Sequence, residues 1–379
     1  MVNEKILQLL KQIKELSVGD NFKENLLKQD IESLHPFLKR HNLEHFLFDI
    51  LQKNFVEESK LFEHAKQKKK KAVFKSILQQ QAIDKILNVL DKAEISYILL
   101  KGAVIKNLYF EPWLRTSDDI DILIKPHDLK KTEQVAKNAG FKIDSRSTHD
   151  VSFIDENKIR IEIHYDLIEK NYAKKANNVL SKVWESAEKI NENRYEYQLT
   201  DAMMYFYHIA HLAKHFELGG CGVRAILDTV LLNEIDFDKE KREKLLLDGG
   251  LDVFATKIES LAKIWFLEEK SEDKDVEVIA QYIVRGGNFG SFSNFVQAQK
   301  AKEKQTLLRL FFPNKSDMEK LFPPVKKCVL FLPVFWMVRI FIKIFKGNNI
   351  LSVKKIKSII FQDDTKTKNA TEFFKSIGL

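Results

Sequence analysis

The chain has 379 residues, of which 44% are hydrophobic and 31% charged, a balance typical of a globular protein with a sizeable core. Glycine (13) and proline (7) are scarce, which disfavours a turn-rich all-β fold and favours long helices. The net charge of +8 suits an anionic partner, such as a nucleotide, a nucleic acid or an acidic membrane, without choosing among them.

Cysteine usage and the first residues of the chain indicate a reducing compartment. The 2 cysteines, Cys221 and Cys328, stand outside any CxxC pair, so neither a zinc framework nor a disulfide scaffold is expected. Charge arrives at once, at Glu4 and Lys5, with no apolar stretch behind it, so a secretory signal is not expected. We therefore predict a cytoplasmic protein, with membrane association left open by an apolar segment near the C-terminus.

Residues 1–92 are predicted to form an N-terminal helical region. Apolar residues recur at helical spacing from Ile6 onward, and a second periodic stretch runs from Phe74 to Leu90. The lysine run 68–71 lies inside this helical pattern. Because no aromatic residues are interleaved with these lysines, they indicate a solvated helix face rather than a nucleic-acid site.

The pattern changes near Ile95, and residues 93–170 are predicted to form a compact α+β core. Strand and helix patterns follow in this order: strand 95–100, helix 103–110, strand 119–124, helix 129–138, and strands 140–143, 151–154 and 159–164. Residues 155–158 link the last two strands as a hairpin turn.

Two aspartates stand two positions apart at the start of strand 119–124. Because successive side chains of a strand alternate between its faces, Asp119 and Asp121 project from the same face. Carboxylates this close repel each other unless a cation lies between them, and their hard oxygen atoms suit Mg²⁺ or Mn²⁺. The pair alone is equally compatible with a surface strand that binds no metal.

A third carboxylate, Glu162, completes a metal site if strand 159–164 lies beside strand 119–124. Isoleucines alternate there with Arg160, Glu162 and His164, so these polar side chains share the face opposite the core. Phosphoryl-type transfer commonly uses two metal ions, which activate the attacking hydroxyl and stabilise the leaving group.

Residues before the aspartates are suited to phosphate. Gly102 follows a strand and precedes a helix, which places backbone N–H groups and a helix N-terminus where phosphate oxygens can dock. Lys101 adds a point charge, and Arg115 is suited to clamp a triphosphate with two N–H groups. The combination is much more specific than any one of these residues.

This order of residues resembles the polymerase-beta-like nucleotidyltransferase superfamily, and in particular its bacterial branch of uncharacterised nucleotidyltransferase family proteins. The likeness is carried by Lys101-Gly102, by Arg115 before the Asp-Ile-Asp strand, and by Glu162-Ile163-His164. The wider superfamily has Gly-Ser after its first strand, so here Lys101 or the backbone amides must replace the serine.

The resemblance implies metal ligands at Asp119, Asp121 and Glu162, with Glu162 as the base for an acceptor hydroxyl. It implies a small mixed-sheet nucleotidyltransferase core flanked by N-terminal and C-terminal helical regions. The implied reaction moves a nucleoside monophosphate from a nucleoside triphosphate to a hydroxyl acceptor, a small molecule by preference, and releases pyrophosphate. Mg²⁺ or Mn²⁺ is the implied cofactor.

Residues 171–379 are predicted to form a C-terminal helical region that extends the resemblance. Four residues there are candidates: His208, His211, His215 and Arg224. The histidines share a helix face that suits zinc, although histidines of this kind more often form hydrogen bonds in a core or a pocket. We keep a pocket role for His164, His208, His211 and Arg224 as a hypothesis. An i,i+4 salt bridge from Arg224 to Asp228 is the default expectation.

Residues 328–345 are almost continuously apolar, but Pro333, Arg339 and Lys343 interrupt them. The segment is too short and too charged for a membrane span. We interpret it as a buried helix. The alternative is an in-plane helix that brings residues 326–346 to an anionic membrane surface.

Two other functional classes stay open. One is a catalytically silent module that binds a nucleotide at a membrane surface, and three retained carboxylates argue against it, since buried unpaired carboxylates cost stability. The other is an enzyme that nucleotidylates a protein or RNA. Nucleic acid is disfavoured, because no RNA-binding module and no aromatic-basic stripe accompanies the core.

Overall fold

The computed structural model describes residues 3–54, 56, 60–167, 174–235, 238–288, 290–291, 332–346 and 371–379, and seven single residues between 294 and 322. The helices before the sheet and within it are α1 (Glu4–Val18), α2 (Lys28–Arg40), α3 (Leu47–Lys53), α4 (Lys60–Lys92), α5 (Gly102–Ile105) and α6 (Leu129–Asn138). The later helices are α7 (Lys174–Leu180), α8 (Val183–Ser186), α9 (Asp201–Glu217), α10 (Val223–Asn233), α11 (Lys239–Gly249), α12 (Asp252–Phe266), α13 (Lys274–Gly286) and α14 (Leu332–Lys346). The strands are β1 (Tyr97–Leu99), β2 (Asp119–Ile124), β3 (Lys142–Arg146), β4 (Asp150–Ile154), β5 (Arg160–His164), β6 (Glu188–Lys189) and β7 (Glu196–Gln198).

The strands form one mixed sheet in the order β3-β4-β5-β2-β1-β7-β6. β2 and β5 are parallel, while β1 is antiparallel to β2 and parallel to β7. The predicted α+β fold with a small mixed sheet and flanking helices is confirmed. The hairpin predicted at residues 155–158 also forms, since β4 and β5 pair antiparallel around it.

The C-terminal region contributes strands that its helical pattern did not predict. β6 and β7 span two and three residues, too few for an alternating pattern to be visible. β7 nevertheless extends the sheet, because Tyr97 of β1 pairs with Glu196. The domain limits at residues 92 and 170 stay predictions.

The two faces of the sheet have different neighbours. Alternate isoleucines of β2 and β5, among them Ile120, Ile122 and Ile161, are buried in one cluster with Ile86 of α4 and Ala136 of α6. The residues between them point the other way, toward the large helical core built around α9. The side chains at positions 119, 121 and 162 therefore face the helical layer, as the period of a strand requires.

Helix α9 is the centre of that layer. Its N-cap, Thr200, accepts a hydrogen bond from the Met203 amide, and most of its residues are buried among α10, α11 and α12. A helix that is apolar on nearly all sides needs neighbours all round, which is why α9 lies in the middle of the bundle.

The lysine run 68–71 lies on α4, as predicted. Lys68 and Lys69 form ion pairs with Glu44 and Asp49 at 2.5 and 2.6 Å, while Lys70 and Lys71 are exposed. Half of the run is thus a contact between the N-terminal helices rather than a fully solvated face.

The apolar segment falls partly outside the described residues, which resume with α14. Val334, Met337 and Val338 are 56%, 53% and 37% exposed. This part of α14 is therefore not buried, contrary to the interpretation of residues 328–345 as a core helix. The described helices include none long and apolar enough to cross a membrane. Contact of residues 326–346 with a membrane surface stays a prediction.

Buried histidines make the stability of the fold sensitive to acid, and His41 and His45 are two of them. Burial lowers the pKa of His41 and His45 from 6.5 to about 4. Between those values the unfolded chain binds protons that the folded protein does not. The free energy of unfolding should therefore fall as the pH drops through this window, by up to about 3 kcal/mol per histidine. Urea unfolding between about pH 7.5 and about pH 4.5 measures this slope.

The matched variants are His45→Gln and His127→Gln. His45 is buried and its Nε2 lies 2.8 Å from the Leu114 carbonyl oxygen, whereas the His127 side chain is 76% exposed. The His45 variant should flatten the pH slope and the His127 variant should leave it unchanged. Equal pH slopes in the wild type and both variants would contradict the lowered pKa assigned to His45.

Candidate active site

A cleft of about 340 Å³ separates the polar face of the sheet from α9 and α10. From the sheet side it is lined by Lys101, Asp119, Asp121, Glu162 and His164. From the helical side it is lined by His208, His211, His215, Arg224 and Asp228. The structure thus brings the candidate residues from both halves of the sequence into one cleft.

The carboxylates meet because β2 and β5 are neighbouring parallel strands. Asp121 lies directly opposite Glu162 in the register, and Asp119 lies two residues earlier on the same face of β2. The ligand atoms of Asp121, Glu162 and His164 lie within 4.8 Å of one another. Strands β2 and β5 are therefore neighbours, which was the condition for Glu162 to lie beside the two aspartates.

Asp121 is the most restrained of the carboxylates. Its Oδ1 accepts hydrogen bonds from Lys101 Nζ at 2.9 Å and from His164 Nε2 at 2.7 Å. Burial raises the pKa of the Asp121 carboxyl, but the Lys101 charge and the two hydrogen bonds outweigh burial and hold it well below its usual range. Asp121 is therefore ionised at neutral pH, with both donors on one of its two oxygens.

For Asp119 and Glu162, the effects that raise the pKa of the carboxyl outweigh those that lower it. Burial raises the pKa of both carboxyls, and the negative charge of Asp121 raises them further. Lys101 and His164 lower the pKa of Glu162, and Lys101 that of Asp119, without cancelling the increase. Three carboxylates around the partly buried Lys101 are an oxygen-rich donor set with an excess of negative charge, and this donor set fits a divalent cation.

Lys101 sits on a strained turn. Its φ of 44° lies in the left-handed region, where a residue with a side chain costs about 1–3 kcal/mol unless its surroundings hold it. The turn aims its ammonium at Asp121. Helix α5, which follows, is only 4 residues long, so the phosphate site expected at Gly102 depends on amides and Lys101 rather than on a long helix dipole.

Arg115 does not stand free to clamp a triphosphate. Its Nε and Nη2 donate to Asp228 Oδ1 and Oδ2 at 3.0 and 2.8 Å, and Tyr109 also donates to Oδ1. Gly102 explains the close packing here, because a Cβ at this position would lie 2.6 Å from an Arg115 nitrogen. Arg115 lines the cleft as half of a buried ion pair.

The salt bridge expected between Arg224 and Asp228 does not form. Asp228 binds Arg115, and Arg224 instead donates to the backbone carbonyl and the hydroxyl of Thr116. The i,i+4 expectation was wrong because both side chains have partners on the loop before β2. This loop, which carries Arg115 and Thr116, is thereby fastened to α10.

The three histidines of α9 line the cleft as separate groups. His208 Nε2 lies 2.9 Å from the Thr229 hydroxyl, whereas the rings of His211 and His215 pack edge to face at 4.4 Å. The metal-ligand groups found among the described residues do not include this trio. Burial lowers the pKa of His208 and His215 to about 4, so both are neutral at pH 7.

Sequence patterns missed several cleft residues. Tyr207, Cys221 and Asn288 all line the cleft, and the Tyr109 hydroxyl donates a hydrogen bond to Asp228. None of them stands in a motif. They come from elements far apart in sequence, and only helix packing brings them to the carboxylates.

Comparison with known proteins identifies the family of this chain. A family model described as an uncharacterised nucleotidyltransferase matches residues 28–266. Among solved structures, the chain is similar to the solution structure of the antibiotic-resistance factor ANT(2'')-Ia. The identity is 13%, the TM-score is 0.35, and 49% of this chain and 96% of that chain are covered. A search of curated proteins gave no match. Because the family match spans well over half of the chain, this protein belongs to the family of uncharacterised nucleotidyltransferases and is an enzyme.

Proposed function

We propose that the enzyme transfers a nucleoside monophosphate from a nucleoside triphosphate to a hydroxyl group of a small molecule, with Mg²⁺ or Mn²⁺. The observation that supports this most directly is the pairing of Asp121 with Glu162 on neighbouring parallel strands, with Asp119 on the same face. This arrangement also supports membership in the polymerase-beta-like superfamily.

Asp119, Asp121 and Glu162 are the residues proposed to hold the cation. When bound, the cation polarises the α-phosphate and stabilises the charge on the leaving pyrophosphate. Asp121 is already ionised, with Lys101 and His164 on Oδ1. His164 is thus proposed to orient Asp121, and Lys101 to supply positive charge next to the phosphates.

Glu162 is proposed to accept the proton of the acceptor hydroxyl. The hydroxyl oxygen forms a bond to the α-phosphorus, the bond from that phosphorus to the bridging oxygen breaks, and pyrophosphate leaves. The raised pKa of the Glu162 carboxyl suits this role, because a general base is most effective when its pKa approaches the working pH.

The acceptor side of the cleft is proposed to be the wall formed by α9 and α10. His208 and His215 are neutral there, so these two side chains offer hydrogen bonds without fixed charge. A cleft of about 340 Å³ is near the lower end of the range for ligand pockets, which favours a small acceptor over a protein or RNA.

Glu162→Gln tests the proposed base. Removing the carboxylate should lower turnover by about 10²–10⁴-fold, because proton transfer by a positioned side chain contributes that much. Nucleoside triphosphate binding should change far less, since Lys101 and the amides remain. Pyrophosphate release and acceptor mass can be followed with each of the common nucleoside triphosphates, Mg²⁺ and a small-molecule cell extract.

The matched control is Glu156→Gln, since the Glu156 side chain is 74% exposed and pairs only with Lys85 among the contacts found. It should retain wild-type turnover. A Glu162 variant within a few-fold of wild type would rule out Glu162 as the base. Failure of the wild type to release pyrophosphate with any extract would argue against nucleotidyl transfer to a small molecule.

A further inference from the structure

A second cluster of metal-binding side chains lies among the N-terminal helices, apart from the carboxylates of the cleft. His35 comes from α2, Glu44 from the 3₁₀ turn Glu44–Phe46, and His64 from α4. Their ligand atoms lie within 4.8 Å of one another. Three separate elements contribute one ligand each, so the cluster exists only in the folded chain.

Both imidazoles aim the same nitrogen at the same oxygen atom. His35 Nε2 lies 3.0 Å and His64 Nε2 lies 3.1 Å from Glu44 Oε1. Zinc binds histidine nitrogen and carboxylate oxygen at roughly 2.0–2.2 Å, so ligand atoms around a tetrahedral ion lie roughly 3.3 Å apart. The observed separations are therefore close to those of a formed site.

The surroundings of Glu44 also suit a ligand. Lys68 Nζ binds its other oxygen, Oε2, at 2.5 Å and leaves Oε1 to the two histidines. An outer partner that holds a ligating carboxylate in place is a usual part of a metal site. The side chain of Glu44 is only 10% exposed, whereas that of His64 is 44% exposed, so solvent can reach the open side of the cluster.

We propose that His35, Glu44 and His64 bind one Zn²⁺ ion, with water as the fourth ligand. Two imidazoles and one carboxylate select zinc over Mg²⁺, which prefers oxygen ligands and keeps its water. On binding, each imidazole takes the tautomer that carries its proton on Nδ1, so that Nε2 presents its lone pair to the ion. The ion then links α2, α4 and the turn between them in place of the hydrogen bonds to Glu44.

The site would clamp a region that supports the cleft. His45, next to Glu44, lies 2.8 Å from the Leu114 carbonyl oxygen, and Lys75 of α4 pairs with Asp118 at 2.7 Å. Leu114 and Asp118 flank Arg115 in the loop before β2. Zinc at His35, Glu44 and His64 therefore stabilises the frame of this loop without touching the substrate.

The test measures Zn²⁺ binding by the full chain in the Asp119→Asn, Asp121→Asn background, which removes two carboxylates of the cleft. Calorimetric titration with ZnCl₂ should show one tight site, and Co²⁺ in its place should give the visible spectrum of a tetrahedral centre. Adding His64→Gln keeps a hydrogen-bond donor for Glu44 but removes a ligand. It should weaken Zn²⁺ binding by at least about 100-fold, since even outer partners contribute 10–100-fold.

His127→Gln, at an exposed position away from the cluster, is the matched control and should keep the tight site. His35→Gln provides a second removal of a ligand in case His64→Gln fails to fold. The proposal is overturned if the background protein binds no Zn²⁺, or if both ligand variants bind it as tightly as the control does. Nucleotidyl transfer by the wild type is measured separately, so neither result depends on the other.

Discussion

Asp119→Asn combined with Asp121→Asn is expected to lower metal-dependent turnover by at least about 10³-fold. Each substitution keeps the size of the side chain and removes a negative charge from the cleft. Metal-ion stabilisation of a phosphoryl-type transition state is worth several kcal/mol, and each 1.36 kcal/mol corresponds to a factor of ten in rate. Pyrophosphate release at saturating nucleoside triphosphate, with Mg²⁺ varied, measures the loss.

Asp84→Asn is the matched control, because Asp84 is an exposed carboxylate on α4 outside the cleft. It should behave as the wild type. Asp119→Asn alone covers the possibility that the double variant misfolds, since Asp121 then keeps its bonds to Lys101 and His164. Circular dichroism verifies the fold. Undiminished turnover in a folded double variant would eliminate the metal site proposed on β2.

Asp228→Asn is expected to lower the free energy of unfolding by about 3–5 kcal/mol. The side chains of Arg115 and Asp228 are 8% and 3% exposed, and the substitution leaves the arginine buried without its counter-ion. Tyr109 keeps a hydrogen-bond acceptor at this position, so the loss reports mainly the missing charge. Urea unfolding at neutral pH measures the change.

Two further variants provide comparisons for this measurement. Asp144→Asn breaks the exposed pair between Arg160 and Asp144 and should cost less than about 1 kcal/mol. Replacing the buried pair together, with Arg115→Met and Asp228→Leu, should recover most of the stability, because no buried charge is then left alone. A loss below about 1 kcal/mol for Asp228→Asn would mean that water reaches Arg115.

The shared face of Asp119 and Asp121 on β2 could be predicted from spacing alone. Two residues that stand two positions apart on a strand share a face whatever the rest of the fold does. The side chains of Asp119 and Asp121 therefore had to project from the same face of β2. Glu162 depended on one further condition, that β5 lies beside β2. The register meets this condition, with Asp121 opposite Glu162.

The partners of the cleft's basic residues could not be predicted in the same way. Arg115 was predicted to clamp a triphosphate, yet its side chain donates to Asp228, which lies 113 positions away along the chain. A contact at that separation cannot be predicted from helical or strand periodicity, which relates only residues a few positions apart. The expected pair of Arg224 with Asp228 was wrong for the same reason, since Thr116 and Arg115 compete for them from a distant loop.

Features that depend on local geometry, namely the helical periods, the strand faces and the Lys101-Gly102 turn before β2, follow directly from the amino-acid sequence. Tertiary structure alone decided which strands are neighbours, which ion pairs are buried, and that α9 and α10 close the cleft opposite the carboxylates. The physical reason is that alternation and helical period are properties of a few consecutive residues. Burial and charge pairing depend instead on how separate elements pack.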